Sequence, residues 1–187
     1  TLGSARYFAN DFDTTTQGID AVATYSTDNS LGDLQLQFSF NWGDTEITKL
    51  NTRVNDNGDP IITLDEEQVH DIENVLPSTR LIIGALQNFG DRWSVFLRAS
   101  NWGSWANACC GNGPTIQEYD AQWLVDLDVS FQITDNLRVS VGGNNIFDQF
   151  PDRDLVEFGG FTGQVYDLEA PYGFNGGSYY VKLGYEF

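Results

Sequence analysis

Residues 121–133 alternate without a fault, and this alternation limits the fold more than any other feature of the chain. Trp123, Val125, Leu127, Val129, Phe131 and Ile133 fall on one side; Gln122, Leu124, Asp126, Asp128, Ser130 and Gln132 fall on the other. A strand turns successive side chains to opposite faces, so one face is apolar and the other, Leu124 apart, is polar. Thr134-Asp135-Asn136 follows as a tight polar turn. Leu137, Val139 and Val141 then resume the apolar face opposite Arg138, Ser140 and Gly142. The stretch is an antiparallel hairpin. Its apolar face needs a cover: a second sheet in a soluble sandwich, or lipid in a transmembrane barrel whose polar face lines a wet lumen.

The pattern recurs along the chain. Ile19, Ala21, Ala23 and Tyr25 oppose Gly18, Asp20, Val22 and Thr24. Leu34, Leu36, Phe38, Phe40 and Trp42 oppose Gln35, Gln37, Ser39 and Asn41. Residues 80–88 and 93–101 read as further strands, the first blurred by Ile82 and Leu86, and residues 177–187 as the last. The clear strands run roughly 9–13 residues, longer than the ~5–6 usual in globular sheets and near the ~9–11 that cross a bilayer. Short turns near Asn29, Gly90 and Asp135 alternate with long loops over about 44–77, 103–119 and 148–176. Outer-membrane barrels keep short turns on the periplasmic side and long loops outside, whereas a sandwich has no reason to. Aromatic side chains gather near strand ends, at Trp42, Trp93, Trp102, Trp123, Tyr179 and Phe187, where interfacial girdles would lie. The reading is therefore all-β, an antiparallel transmembrane β-barrel. About seven strands is an odd count, and an open edge cannot face lipid. The chain is expected to be a piece of a larger barrel.

Composition narrows function. A net charge of −18 excludes nucleic acid as a partner, since phosphates need a basic face. No catalytic residue, metal or cofactor is predicted, and the chain is not read as an enzyme. His70, the only histidine, has no nucleophile motif near it, and Asp126 with Asp128 reads as a solvated lumen-facing pair. Asn55 to Asp59 fails as a calcium loop because Arg53 stands where the first Asp should be. Residues 65–73 suit a short acidic helix. Cys109 and Cys110 are adjacent, with Cα atoms about 3.8 Å apart against a usual ~4.4–6.8 Å for a disulfide. Separate thiols, bridges to another chain and a vicinal disulfide all stay open. The loop aromatics Trp102, Trp105, Phe158, Phe161, Tyr166 and Tyr172 offer flat faces for a sugar ring or an aromatic chelator, and also suit girdle or loop packing. Acidic loops repel anions at long range, which favours a neutral or cationic ligand.

Asp13-Thr14-Thr15-Thr16-Gln17-Gly18-Ile19-Asp20 resembles the opening of a late barrel strand in TonB-dependent outer-membrane receptors. Pro77-Ser78-Thr79-Arg80 is similar to the start of another. Gly142-Gly143-Asn144-Asn145-Ile146-Phe147-Asp148 resembles their G-x-NN-[IL]-FD element, and residues 172–187 their closing strand. The resemblance spans essentially the whole chain. It implies about the last seven strands of a 22-stranded barrel, over residues 1–187, in the outer membrane of a Gram-negative bacterium. It also implies a plug domain and a TonB box that are not in this chain. The function implied is TonB-coupled uptake of a scarce nutrient: a ferric siderophore, an oligosaccharide or a cobalamin-like ligand. Partners implied are outer-membrane lipid, the plug and the remaining barrel, the TonB complex through the N-terminal part, and the barrel assembly machinery reading Phe187 as a terminal signal. Two other functions compete: a non-transporting surface or scaffold protein, and a soluble lectin-like β-sandwich.

Overall fold

The computed structural model describes residues 10–55, 57–155 and 163–187. Phe158 and Phe161 lie outside the described residues. The elements in chain order are β1 (Phe12–Asn29), β2 (Gly32–Leu50), β3 (Arg53–Val54), β4 (Pro60–Ile61), α1 (Glu66–Asn74), β5 (Thr79–Phe89), β6 (Trp93–Trp102), β7 (Trp105–Cys109), β8 (Thr115–Tyr119), β9 (Gln122–Thr134), β10 (Leu137–Asn144) and β11 (Ser178–Tyr185). Seven long strands form one sheet in the order β1-β2-β5-β6-β9-β10-β11. Every neighbouring pair is antiparallel, so the sheet is an up-and-down meander. The small hairpins β3–β4 and β7–β8 sit in the long loops. β1 and β11 are open edges.

The register explains the alternation. One row crosses all seven strands through Tyr25, Leu36, Ala85, Leu97, Leu127, Gly143 and Tyr179, each opposite the next. The row beside it runs Thr27, Leu34, Gln87, Val95, Val129, Val141, Val181. A slip of one residue in any strand would turn its apolar set to the other face. Much of this face stays uncovered: Tyr25 is 61 %, Tyr179 70 % and Val181 67 % exposed. The buried apolar residues among those described, Trp105, Ala108, Tyr119 and Ala170, all lie at the long-loop end and none in the main sheet. Ile82 and Leu86, which blur the alternation of β5, point to the polar face, where Leu86 lies opposite Phe96 and Ile82 lines a cavity with Leu124.

β1 and β2 run on past the apolar pattern, so the first long loop begins after Leu50, not at 44. Pairing continues there through polar contacts. The hydroxyls of Thr16 and Thr45 lie 2.9 Å apart, and the Gln17 amide donates to Asp44. Ladder hydrogen bonds do not need an apolar face, which is why alternation alone misses this extension. A strand of 19 residues is about 60 Å long, twice the ~30 Å thickness of a bilayer's hydrocarbon.

α1 starts at a capping box. Asp65 accepts from the Gln68 N–H at 2.9 Å and the Gln68 side chain accepts from the Asp65 N–H at 3.1 Å. The acids of α1 then tie the loops together. Glu67 and Glu66 accept from the N–H groups of Gly111 and Gly113, Asp71 from that of Ala108, and Glu73 from that of Ile47 on β2.

Candidate ligand site at the long-loop end

The polar face of β5, β6 and β9 carries the site. Strand pairing sets Arg80 opposite Trp102 and Arg98 opposite Asp126. Residues 171–176 of the last long loop fold back over this wall and leave a cavity of about 420 Å³. Arg80, Trp102, Arg98, Asp126 and Tyr172 line it, with Ile82 and Leu124 as its apolar floor. The Arg80 guanidinium lies 3.8 Å from the centroid of the Trp102 ring, and Tyr172 stands 6.4 Å from Trp102, ring to ring. Arg80 makes no ion pair among the described residues. Arg98 is neutralised: its Nε donates to Asp126 Oδ2 at 2.8 Å and its Nη2 at 2.5 Å.

Asp126 does a second job. Its Oδ1 accepts from the Asn145 N–H at 2.8 Å, and the Ile146 N–H donates to the Val125 carbonyl at 2.8 Å. Asn145 is buried and left-handed, with φ 50°. Its amide donates to the Gln149 carbonyl and accepts from the Gln149 N–H. The Asn-Asn-Ile-Phe-Asp segment is thus a turn riveted to β9. The two glycines before it seat the last strand. Gly142 lies opposite Tyr180 and Gly143 opposite Tyr179, on the two faces of the sheet. Neither leaves room for a Cβ, which would come within 2.6 Å of Tyr180 and 2.8 Å of Tyr179. Tyr180 donates to Asp128 at 2.9 Å, and Tyr179 to the Ile146 carbonyl at 3.0 Å. The Tyr172 hydroxyl, buried with no partner among the described residues, is pushed up to about 12 by burial, with Asp152 adding to it.

The expected ligand contacts separate. Trp102 lies in the cavity. Trp105 is 4 % exposed and stacked on Tyr119 with ring centroids 3.9 Å apart, which places it in the packing between loops. Tyr166 stacks on Phe150 at 5.4 Å, also as loop packing. Cys109 and Cys110 are joined as a vicinal disulfide where β7 turns toward β8. Phe187 is fully exposed just beyond β11, its ring edge-on to Tyr185 at 5.1 Å. Glu186 is fastened to the turn before β10, its N–H donating to the Asn136 carbonyl. Arg80 and Arg98 escaped the sequence reading, although both occupy polar-face positions of their strands. A search for charged residues at such positions would have found them, but their partners are fixed only by the strand register.

Comparison with known proteins agrees with this geometry. A family profile described as TonB dependent receptor-like, beta-barrel matches residues 1–146. No curated protein matches significantly. Two solved structures share the fold. The FpvAI–pyocin S2 complex has a TM-score of 0.56 at 21 % identity, covering 91 % of this chain and 19 % of that one. The ferripyoverdine receptor of the outer membrane of Pseudomonas aeruginosa, bound to ferripyoverdine, has a TM-score of 0.55 at 21 % identity and the same coverage. The chain thus spans about a fifth of the length of these structures. By the profile over most of its length and the meander it forms, the chain belongs to the β-barrel family of TonB-dependent receptors.

Proposed function

We propose that this chain is the C-terminal wall of a 22-stranded outer-membrane receptor that takes up a scarce nutrient by coupling to TonB. In this reading the apolar face meets outer-membrane lipid and the long loops lie outside the cell. A plug fills the lumen and carries the TonB box, and Phe187, exposed at the end of the closing strand, is read by the barrel assembly machinery. The observation that carries the proposal is the cavity walled by Arg80, Trp102 and Tyr172, which opens on the polar face beneath the long loops. Its chemistry suits a ligand with a flat, oxygen-rich or locally anionic group, one face on Trp102 and oxygens toward Arg80. The acidic loops oppose polyanions at a distance, but screening confines that field to about 8 Å at physiological salt. Inside the cavity Arg80, which has no carboxylate partner among the described residues, offsets it. Ferric siderophores and acidic oligosaccharides both meet this description, and the smaller the ligand's net charge, the weaker the opposition from the loops.

The test has two arms. Intact mass and N-terminal sequencing of the detergent-extracted, denatured protein should give a polypeptide several times larger than 20.9 kDa, carrying a plug and a TonB box. A lone species of that mass, soluble without detergent, would return the sandwich reading; one that needs detergent would favour the scaffold. Uptake of a panel of ferric siderophores and labelled oligosaccharides is then measured with and without a protonophore. Trp102→Ala should weaken binding of the active ligand about 5- to 30-fold, the equivalent of one stacked ring. Unchanged binding would remove the cavity from the mechanism.

A further inference from the structure

The long loops meet at a hydrogen-bond chain that is one proton short. Tyr119, at the end of β8, is 1 % exposed. Its hydroxyl lies 3.1 Å from Asp154 Oδ1 and 3.1 Å from Asp167 Oδ2, both from the last long loop. A phenol carries a single proton, so it can donate to one of these carboxyls only. If both were ionised, the second contact would set a lone pair against a buried carboxylate, which costs more than the bond it replaces.

The other partners say which carboxyl holds the missing proton. Asp167 Oδ2 already accepts from the Asn107 amide at 2.6 Å and Oδ1 from the Glu169 N–H at 2.7 Å, so both of its oxygens already face donors. Asp154 keeps Oδ2 for the Gln164 amide at 2.9 Å, and its Oδ1 has the Tyr119 oxygen as its near neighbour. Hydrogen bonds close in one direction: Asp154 donates to Tyr119, and Tyr119 donates to Asp167. We propose that this chain is a proton-dependent clamp, closed when Asp154 is protonated, which fastens the β7–β8 hairpin to the last long loop and releases it when the proton leaves.

The charges around the clamp point the same way. Asp167 and Glu169 come from the same loop and Asp71 from α1. Among the described residues the one basic ring beside them is His70, 3.4 Å from Asp71. Burial, with the Asp167 charge adding to it and the Gln164 amide opposing it, leaves Asp154 above the ordinary carboxylate range. Burial and the two aspartates hold the Tyr119 hydroxyl far above its usual range, so it stays protonated throughout. The sign follows from linkage. A carboxyl whose affinity for protons is higher in the closed form stabilises closure fully at acid pH. Opening then releases a proton, and the opening constant rises up to tenfold per pH unit until Asp154 ionises in the closed form as well, where it levels off. The device does not depend on which ligand is taken up.

The experiment is amide exchange on the native protein in outer-membrane vesicles, from about pH 4 to about pH 9. Wild type is compared with Asp154→Asn at each pH, so that the intrinsic pH dependence of exchange cancels. The asparagine amide donates to Tyr119 at every pH. For amides of residues 105–119 and 164–170, the ratio of wild-type to variant exchange should lie near one at acid pH and climb with pH to a plateau. A ratio that stays flat would overturn the proposal. Tyr119→Phe is the second variant, and it should reduce the slope by removing the oxygen that accepts the Asp154 proton. A wild-type slope surviving in Tyr119→Phe would equally refute the clamp. Since no ligand is added, neither outcome bears on the uptake reading.

Discussion

Gly142→Ala tests how the closing strand is held. A Cβ at Gly142 would lie 2.6 Å from the Tyr180 ring and hydroxyl and 2.7 Å from the Leu127 carbonyl oxygen. The carbonyl belongs to the β9 ladder and cannot step aside. Tyr180 cannot swing away without giving up its hydrogen bond to Asp128 at 2.9 Å. Forcing an extra methyl into a packed site costs about 1–3 kcal/mol, and a hydrogen bond to a charged group is worth about 1.5–3 kcal/mol. The two losses partly substitute for one another, so the folded barrel should be destabilised by about 2–4 kcal/mol. The assay is urea unfolding of the whole protein in lipid vesicles, with the folded fraction read from heat-modifiable electrophoretic mobility. Gly184→Ala on β11 is the control, because an added Cβ there meets nothing within 4 Å. If Gly142→Ala falls within about 0.5 kcal/mol of Gly184→Ala, the ordinary scatter of surface substitutions, the glycine–tyrosine joint does not hold the strand and the reasoning fails.

Tyr179→Phe, on the opposite face, loses only the hydrogen bond to the Ile146 carbonyl and should cost about 1 kcal/mol in the same unfolding assay. Asp126→Asn keeps an acceptor for the Asn145 N–H but unpairs the half-exposed Arg98, so exchange of amides 145–150 should change little; Asp126→Ala removes the acceptor as well and should speed that exchange roughly 5- to 100-fold, as expected for the loss of about 1–3 kcal/mol. Asp65→Ala removes the capping box of α1 and should weaken the helix by about 1 kcal/mol, read as faster exchange across residues 66–74 with the sheet unaffected.

The sheet was legible in the sequence because one face had to be apolar throughout. Period two locates Leu34 to Trp42 or Trp123 to Ile133 without reference to any other strand. The polar ends of β1 and β2 were not, because Thr14 to Thr16 and Asp44 to Lys49 pair through backbone bonds that do not depend on an apolar alternation. The site was half legible. Trp102 stood out as a large ring at a strand end. Trp105 looked the same in sequence, yet one lies on the strand wall and the other packs on Tyr119. What separates them is where the last long loop lands, and that depends on Asn145 gripping Asp126, a contact between residues 19 apart in sequence. Asp154 and Asp167 read as surface acids for the same reason: nothing local shows that Tyr119 comes between them.

The open edges complete the argument about environment. Among the described residues nothing packs over the apolar row from Tyr25 to Tyr179, while the buried apolar side chains are confined to the long-loop end. A soluble sandwich would show the reverse, with the sheet face as its core. In hydrocarbon, however, every unpaired backbone group on an edge strand costs several kcal/mol. β11 spans 8 residues, and about half of its N–H and C=O groups point away from β10. Even that short edge would outweigh the ~5–15 kcal/mol that holds a typical domain together. On the proposed reading the apolar face meets lipid, and lipid would then require that both edges be paired; a barrel is the arrangement that satisfies both edges at once.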